Sequence, residues 1–304
     1  TAVNEFQQVI DQNSKLAESY RAEGIAYYSE KAYPEAIAAF SRSLNNMDDP
    51  DKEFKKDVQF YLAQARMDYG EVDKAIEVYS EILKAGEDEQ AFFLRGKAYI
   101  SMEDYKNAEK DFQRALEGCE DYNLYINIYQ IYVDHNKAVD GDAYLKMALE
   151  LEPQDGEDCY HRGRIYEYEK NYEAARDELK TAMEQGYEDA MLLLGRVYLE
   201  MEDPASARSM YQEYLQKSEQ GAKAYNGLAM CDIYDGAYDS ALENIAQGLK
   251  ENSKEDEQGL LYNEIVAYEY KRDFATAKEK MKIYLEQYPE DEAALRENEF
   301  LSTR

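Results

Sequence analysis

The sequence has no tryptophan, and its 304 residues include only 5 prolines, 3 cysteines and 2 histidines. Because proline breaks helices, its scarcity favours many long helices with few interruptions. The cysteines, Cys119, Cys159 and Cys231, lie far apart, show no C-x-x-C spacing and are odd in number. We therefore interpret them as small buried thiols rather than as a disulfide framework.

Long apolar runs are also missing. No stretch approaches the roughly 18 apolar residues that a bilayer-spanning helix needs, and no signal-peptide core is visible. The sequence therefore predicts no membrane insertion of this chain. It begins with Thr1 rather than Met, which leaves open a removed leader, lipid anchor or tag and, with it, an extracytoplasmic location.

Positive charge is scarce, since 65 Asp and Glu outnumber 35 Lys and Arg and give a formal net charge of -30. Such a surface repels phosphate backbones and anionic lipid, which argues against nucleic acid and membranes as partners. The acidity fits two interpretations: it steers a basic partner, or it keeps a long array soluble. We favour the second, because acidic faces are common without a dedicated ligand.

Catalytic and cofactor motifs are absent as well. The two histidines, His135 and His161, have no Cys or Ser at a telling spacing, and neither a G-x-G-x-x-G nor a Walker-type loop occurs. The acidic run Asp48, Asp49, Asp51 and Glu53 lacks the alternation and turn glycine of an EF-hand. We therefore predict no enzyme activity, no cofactor and no metal site.

The chain does contain an internal repeat. In each of eight units a small residue is followed four positions later by a bulky apolar residue, and four later again by Leu or Met. Offsets of four and four mark one face of an α-helix, here called helix B. The small residues recur mostly near every 34 positions: Ala36, Ala75, Ala108, Gly141, Ala175, Ala207, Ala241 and Ala277.

A second helix, helix A, precedes each helix B. About twelve residues upstream lies another small residue, which is Gly24, Ala63, Gly96, Gly163, Gly195 or Ala229, with Tyr129 and Ile265 as exceptions. A tyrosine follows this site by three positions in six of the eight units. Two antiparallel helices cross closely only where side chains are small, and the short turns between A and B make them antiparallel.

These correlated positions resemble the tetratricopeptide repeat (TPR) family, including the proline after helix B at Pro153 and Pro289. The resemblance covers about residues 17 to 291 and implies an all-α solenoid of about eight helix-turn-helix repeats, forming a right-handed superhelix whose concave wall is lined by helix A. We predict one solenoid domain over residues 1–304. Its repeats span approximately 17–50, 56–88, 89–121, 122–155, 156–187, 188–221, 222–257 and 258–291.

The ends and the irregular units carry separate expectations. Residues 1–14 are predicted to form either a cap helix or an orphan helix B, and residues 292–304 a capping helix that packs Ala294, Leu295 and Leu301 on the last unit. Residues 45–53 form an acidic insertion. We expect altered angles between repeats at this insertion and at the fourth and eighth units, where Tyr129 and Ile265 replace the small residue.

The implied concave wall supplies the candidate binding site. Units two to six carry long polar donors one position after the crossing residue of helix A, namely Gln64, Lys97, Gln130, Arg164 and Arg196. Four residues before each donor, on the same helical face, stand Phe60, Phe93, Ile126, Tyr160 and Leu192. Such paired rows suit a peptide or helix that buries apolar anchors, although both rows are equally consistent with packing between neighbouring A helices.

The sequence therefore predicts a protein-interaction scaffold that binds a peptide or helix of a partner protein. The Lys and Asn clamp with which some TPR proteins hold a terminal carboxylate is not expected, because Arg21, Ile25 and Tyr61 occupy the corresponding sites. The alternative is a structural or self-associating spacer of a surface-anchored or envelope-associated protein, whose groove has no dedicated ligand.

Overall fold

The computed structural model describes residues 16–47 and 52–304, which form seventeen helices and no strand. The predicted N-terminal helix over residues 1–14 and most of the acidic insertion lie outside these ranges. The helices are α1 (Leu16–Ser29), α2 (Tyr33–Asn45), α3 (Lys52–Tyr69), α4 (Val72–Ala85), α5 (Glu89–Ser101), α6 (Tyr105–Ala115), α7 (Tyr122–Asp134), α8 (Ala138–Leu149), α9 (Gly156–Tyr168), α10 (Tyr172–Glu184), α11 (Ala190–Glu200), α12 (Pro204–Lys217), α13 (Ala222–Tyr234), α14 (Tyr238–Lys250), α15 (Lys254–Tyr270), α16 (Phe274–Gln287) and α17 (Glu292–Ser302).

The helices alternate as predicted, with odd numbers from α1 to α15 as helix A and even numbers from α2 to α16 as helix B. These eight pairs confirm the all-α fold and the repeat count. The chain divides into two compact halves, Thr1–Met147 and Ala148–Arg304, with the boundary in the last turn of α8. We call them the first half and the second half; the second half contains α9 to α17.

Every turn from helix A to helix B closes in the same way. One residue per turn has a φ between 57° and 89°, and the backbone N–H of the residue directly after it donates to a carbonyl in the last turn of helix A. This left-handed residue ends a helix because its N–H and its successor's satisfy carbonyls left free at the helix end. The eight residues are Lys31, Gly70, Glu103, Asn136, Lys170, Glu202, Gly236 and Arg272.

The small residues of helix A face bulky residues of helix B, as the repeat pattern predicts. A Cβ added to Gly24 would lie 2.5 Å from the Phe40 ring, and one added to Gly96 would lie 2.7 Å from Phe112. In the fourth unit the roles are exchanged, since Tyr129 of helix A packs on Gly141 of helix B. Close approach of paired helices therefore needs one small partner, on either helix.

The final helix, α17, packs on the last pair with two of the three expected side chains. Ala294 and Leu301 are buried with Met281 and Tyr284, whereas Leu295 is exposed, so its predicted core position was wrong. The reason is helical phase: Ala294 and Leu301 are seven residues apart and share a face, and Leu295 lies about 100° away from Ala294.

A pair of carboxyl groups joins α17 to α15. Burial, together with the charge of Glu297 and a hydrogen bond to it, raises the pKa of Glu269 from the ordinary 4.5 to about 7. One oxygen of Glu269 is buried without a hydrogen-bond partner among the described residues. The folded protein therefore holds the Glu269 proton more tightly than the unfolded chain does, and Glu269 contributes stability below pH 4.5 that is lost as the pH rises through 7.

We expect Glu269→Gln to raise stability at pH 8 by about 1–2 kcal/mol, a value reduced for solvent screening of this partly exposed pair, and to change little at pH 4.5. Glutamine keeps the shape of the protonated acid without its charge. Thermal unfolding at both pH values measures the difference. Glu286→Gln, at an exposed position of α16, is the control. An equal gain in stability of Glu269→Gln at both pH values would contradict the assignment.

Candidate functional site

A cavity of about 780 Å³ lies within the second half, on faces of the four A helices α9, α11, α13 and α15. We call it the α9–α15 cavity. Helix A side chains form its walls because successive A helices pack side by side, and B-helix tyrosines close its floor. The residues that matter below are Tyr160, Leu192, Arg196, Lys223, Asn226 and Met230 on the walls and Tyr211 and Tyr214 on the floor.

Tyr211 reaches the cavity from α12 because two glycines leave room for its ring. A Cβ added to Gly195 of α11 would lie 2.6 Å from the ring, and one added to Gly227 of α13 would lie 2.3 Å from it. In both cases the outer end of the ring makes the contact. The ring therefore touches two A helices at once, and its hydroxyl end lines the cavity.

The floor carries the hydroxyl groups of two buried tyrosines. Tyr211 is 4% exposed and Tyr214 is 7% exposed, and neither hydroxyl hydrogen-bonds to another residue in the described part of the chain. Burial raises the pKa of Tyr211 above its ordinary value, so the phenol stays neutral at physiological pH. Each hydroxyl offers one donor and an acceptor oxygen to a molecule in the cavity.

The two cations of the cavity are each held by a carboxylate. Arg196 donates to Glu167 over 2.6 Å, and Lys223 donates to Glu255 over 2.9 Å. Burial lowers the pKa of Arg196, but the hydrogen bond and charge of Glu167 outweigh it and leave the pKa raised. The hydrogen bond to Glu255 raises the pKa of Lys223. Both side chains therefore remain charged but already have a partner.

Carboxylates outnumber cations around the cavity. Asp189, Glu251, Glu255 and Asp256 line it, against Arg196 and Lys223. Asp256 accepts a hydrogen bond from the Ser253 hydroxyl at 2.6 Å. Since Arg196 is further neutralised by Glu167 from outside the lining, the cavity has a negative potential.

An amide pair fixes the wall between α13 and α15. The side-chain Nδ2 of Asn263 donates to Oδ1 of Asn226 over 2.8 Å, which orients the Asn226 amide. The Nδ2 of Asn226 lies 3.4 Å from where a Cβ of Gly259 would stand. An alanine at this position would therefore make only an ordinary van der Waals contact with the Asn226 amide.

The structure brings together most of the candidate residues that the sequence predicted within the second half. Tyr160, Leu192 and Arg196 all line the α9–α15 cavity. The Arg164 guanidinium lies 5.9 Å from the centre of the Tyr160 ring and its nitrogen 3.4 Å from His161, beside the cavity rather than in its lining. Sequence reasoning missed Tyr211, Tyr214, Lys223 and Asn226, and the glycines at Gly195 and Gly227 were the available signal for Tyr211.

In the first half the side chains of the apolar row pack mainly against other core residues. The Phe60 ring lies 6.3 Å from Tyr79 and the Phe93 ring 6.1 Å from Phe112, with both phenylalanines half-buried. Ile126 is only 2% exposed, so it belongs to the core and not to an accessible binding surface.

The donor row of the first half is more accessible to solvent. Gln64 donates to Asp68 and Gln130 to Asp134, each four residues onward on the same helix. The side chain of Lys97 is exposed and pairs with no residue that the structure describes. These local pairings satisfy the amides without fixing them to a neighbouring repeat.

The other sequence expectations can be placed as well. Cys159 and Cys231 are buried thiols as predicted, whereas Cys119 is only half-buried. Over residues 16–47 and 52–304 no group of three or more His, Cys, Asp or Glu side chains is arranged to hold a metal ion. None of the helices in these ranges has the length and apolar character required to cross a membrane.

Two solved structures with TM-scores of 0.50 or more have the same fold. A tetratricopeptide repeat protein from Parabacteroides merdae has a TM-score of 0.52 at 12% identity, with 83% of this chain and 100% of that chain covered. The APC/C hetero-tetramer Cut9-Hcn1 has a TM-score of 0.50 at 14% identity, with 94% and 56% covered. YrrB, described as a TPR protein with an unusual peptide-binding site, is 26% identical at a TM-score of 0.40, with 62% and 97% covered.

Sequence comparisons identify the repeat itself. A search of curated proteins found no match. Two family models, both described as tetratricopeptide repeat, match residues 89–121 in one case and residues 1–51, 160–222 and 192–257 in the other, together more than half of the chain. The family and its fold serve in general as protein-interaction modules rather than as enzymes. With its eight paired helices and these matches, the chain belongs to the tetratricopeptide repeat family.

Proposed function

We propose that this protein is a scaffold that binds a segment of a partner protein, as a peptide or a helix, in the α9–α15 cavity. The observation that carries the proposal is that one cavity draws on four A helices and combines apolar and charged side chains. Tyr160 and Leu192 are half-buried, and bury further apolar surface when covered. Arg196 supplies a charge that fixes orientation.

The first half offers additional, smaller contact surface for a bound segment. Phe60, Phe93 and Lys97 keep exposed surface on the faces predicted from sequence. Ile126 does not, because it is buried. We therefore assign the main binding contacts to the second half and treat the first half as additional surface for a long partner segment.

Introducing a photo-crosslinking amino acid at Leu192 tests the proposal. We expect it to label a partner from extract of the source organism, whereas the same group at Ile283, exposed on helix B α16, should not. Arg164→Glu combined with Arg196→Glu should reduce the labelled partner about tenfold, because the guanidinium donors that orient the backbone carbonyls of the partner segment are lost. Unchanged circular dichroism would show that the array stays folded.

The rival function, a self-associating spacer, gives a different outcome. Leu192 would then label a second copy of this chain, and sedimentation would show association that rises with protein concentration. Labelling from Leu192 and Ile283 with equal yield would show that the cavity is no preferred contact. Partner capture that survives the double charge reversal would remove Arg164 and Arg196 from the site.

A further inference from the structure

We infer that the α9–α15 cavity accepts a lysine or arginine side chain of the bound partner segment, an inference that rests on the proposed function. The first argument is charge. Four carboxylates line the cavity against two cations, and each cation is already paired. A third cation therefore meets an excess of negative charge, and the formal charge of -30 adds long-range attraction.

The second argument is the pair of tyrosine hydroxyls on the floor. Tyr211 and Tyr214 are more than nine-tenths buried, line the cavity and have no hydrogen-bond partner among the described residues. An ammonium or guanidinium group has only donors, and the phenol oxygens are acceptors that can receive them.

The third argument is the form of the walls. Leu192 is half-buried and Met230 is exposed, and both line the cavity above the floor. Lysine and arginine cover apolar surface with their methylene stems while the charged head stays in a polar setting.

An acidic side chain fits the same cavity poorly. Arg196 already donates to Glu167 and Lys223 to Glu255, so an incoming carboxylate shares each cation with a carboxylate that is in place. It also approaches Glu251 and Asp256, which repel it. The arrangement therefore discriminates by sign: it attracts a cation and rejects an anion.

The test uses fluorescent nonapeptide mixtures with Lys, Arg, norleucine or Glu at the central position and random Gly, Ala and Leu around it. Fluorescence anisotropy with the full chain should show binding of the Lys and Arg mixtures about tenfold tighter than norleucine, with Glu weakest. Glu251→Gln with Asp256→Asn should reduce this preference to about threefold or less. Glu286→Gln with Glu290→Gln removes the same charge outside the cavity and should leave the preference intact.

Two further variants separate the possible failures. Tyr211→Phe with Tyr214→Phe should weaken the Lys mixture about fivefold and leave norleucine binding unchanged. Leu192→Glu should weaken the norleucine mixture as well, since it removes apolar contact. If Leu192→Glu changes no mixture, the proposed function fails and this inference with it.

If Leu192→Glu weakens binding but norleucine or Glu binds as tightly as Lys, only the inference on the cation fails. Preference for Lys that is lost in the Glu286 and Glu290 control but kept in the cavity variant would place cation binding on the general acidic surface, and would also overturn it.

Discussion

Replacing Gly227 by alanine is expected to lower the free energy of unfolding by about 2 kcal/mol, although alanine is the better helix former. The added Cβ would stand 2.3 Å from the outer end of the Tyr211 ring. That ring cannot simply withdraw, because Gly195 on α11 already touches its outer end. The clash must therefore be relieved by separating α11 or α13 from α12, which opens the floor of the α9–α15 cavity.

Gly259→Ala is the matched control for this prediction. It makes the same change in the next A helix, α15, where the nearest atom to the new Cβ would be Asn226 Nδ2 at an ordinary 3.4 Å. Helix propensity alone then acts, and we expect a gain of up to about 1 kcal/mol. Urea denaturation followed by circular dichroism measures both variants, and hydrogen exchange shows whether the loss lies in α11 to α13.

A shorter side chain at position 211 should rescue the clash. Tyr211→Leu alone leaves a void, but combined with Gly227→Ala it should cost clearly less than the two single changes added together. Strict additivity would mean that Tyr211 is not what limits position 227. Equal effects of Gly227→Ala and Gly259→Ala would have the same meaning.

The repeat architecture was predictable from sequence because it rests on residues that recur. A small residue at each crossing and a bulky one four positions later reveal two helices and their contact. The closing turns were less visible: only Gly70 and Gly236 mark the left-handed position, and the other six turns place Lys, Glu, Asn or Arg there. Tertiary contacts of the paired helices hold these residues where local preference favours glycine.

The candidate site was only partly predictable. Helical spacing placed Tyr160, Leu192 and Arg196 on one surface, and the structure puts all three in one cavity. Tyr211 occupies the same repeat position as Phe40 and Phe112, so its pattern predicts core alone. That its hydroxyl end lines the cavity depends on the contact with a second glycine, Gly227, on a helix sixteen residues away.

Burial within a row was equally hidden from sequence. Ile126 has the same spacing as Phe60 and Phe93, yet it is 2% exposed, while both phenylalanines keep exposed surface. The fourth unit differs because Tyr129 replaces the small crossing residue and packs on Gly141. Side-chain size at one crossing therefore changes what its neighbours on the same helix can cover.

An ion pair between the two helices of the third repeat shows the limit of sequence reasoning most clearly. Arg95 of α5 donates from two nitrogens to Asp111 of α6, both over 2.7 Å, and a third nitrogen donates to the Ser80 hydroxyl over 3.0 Å. The side chain of Asp111 is 6% exposed. The 65 acidic residues look alike in sequence, but this carboxylate is buried and depends on one arginine for its partner.

Replacing Arg95 by methionine should therefore lower the free energy of unfolding by about 3 kcal/mol, because it leaves the buried Asp111 carboxylate without its partner. Arg114→Met is the matched control, since Arg114 pairs with the exposed Glu87 and should cost only about 0.5 kcal/mol. Adding Asp111→Leu to Arg95→Met should recover much of the loss, as apolar side chains replace the whole pair. Urea denaturation of the four proteins decides the matter: equal costs for the two arginine variants, or no recovery in the double variant, would show that burial of the Asp111 charge is not the source of the effect.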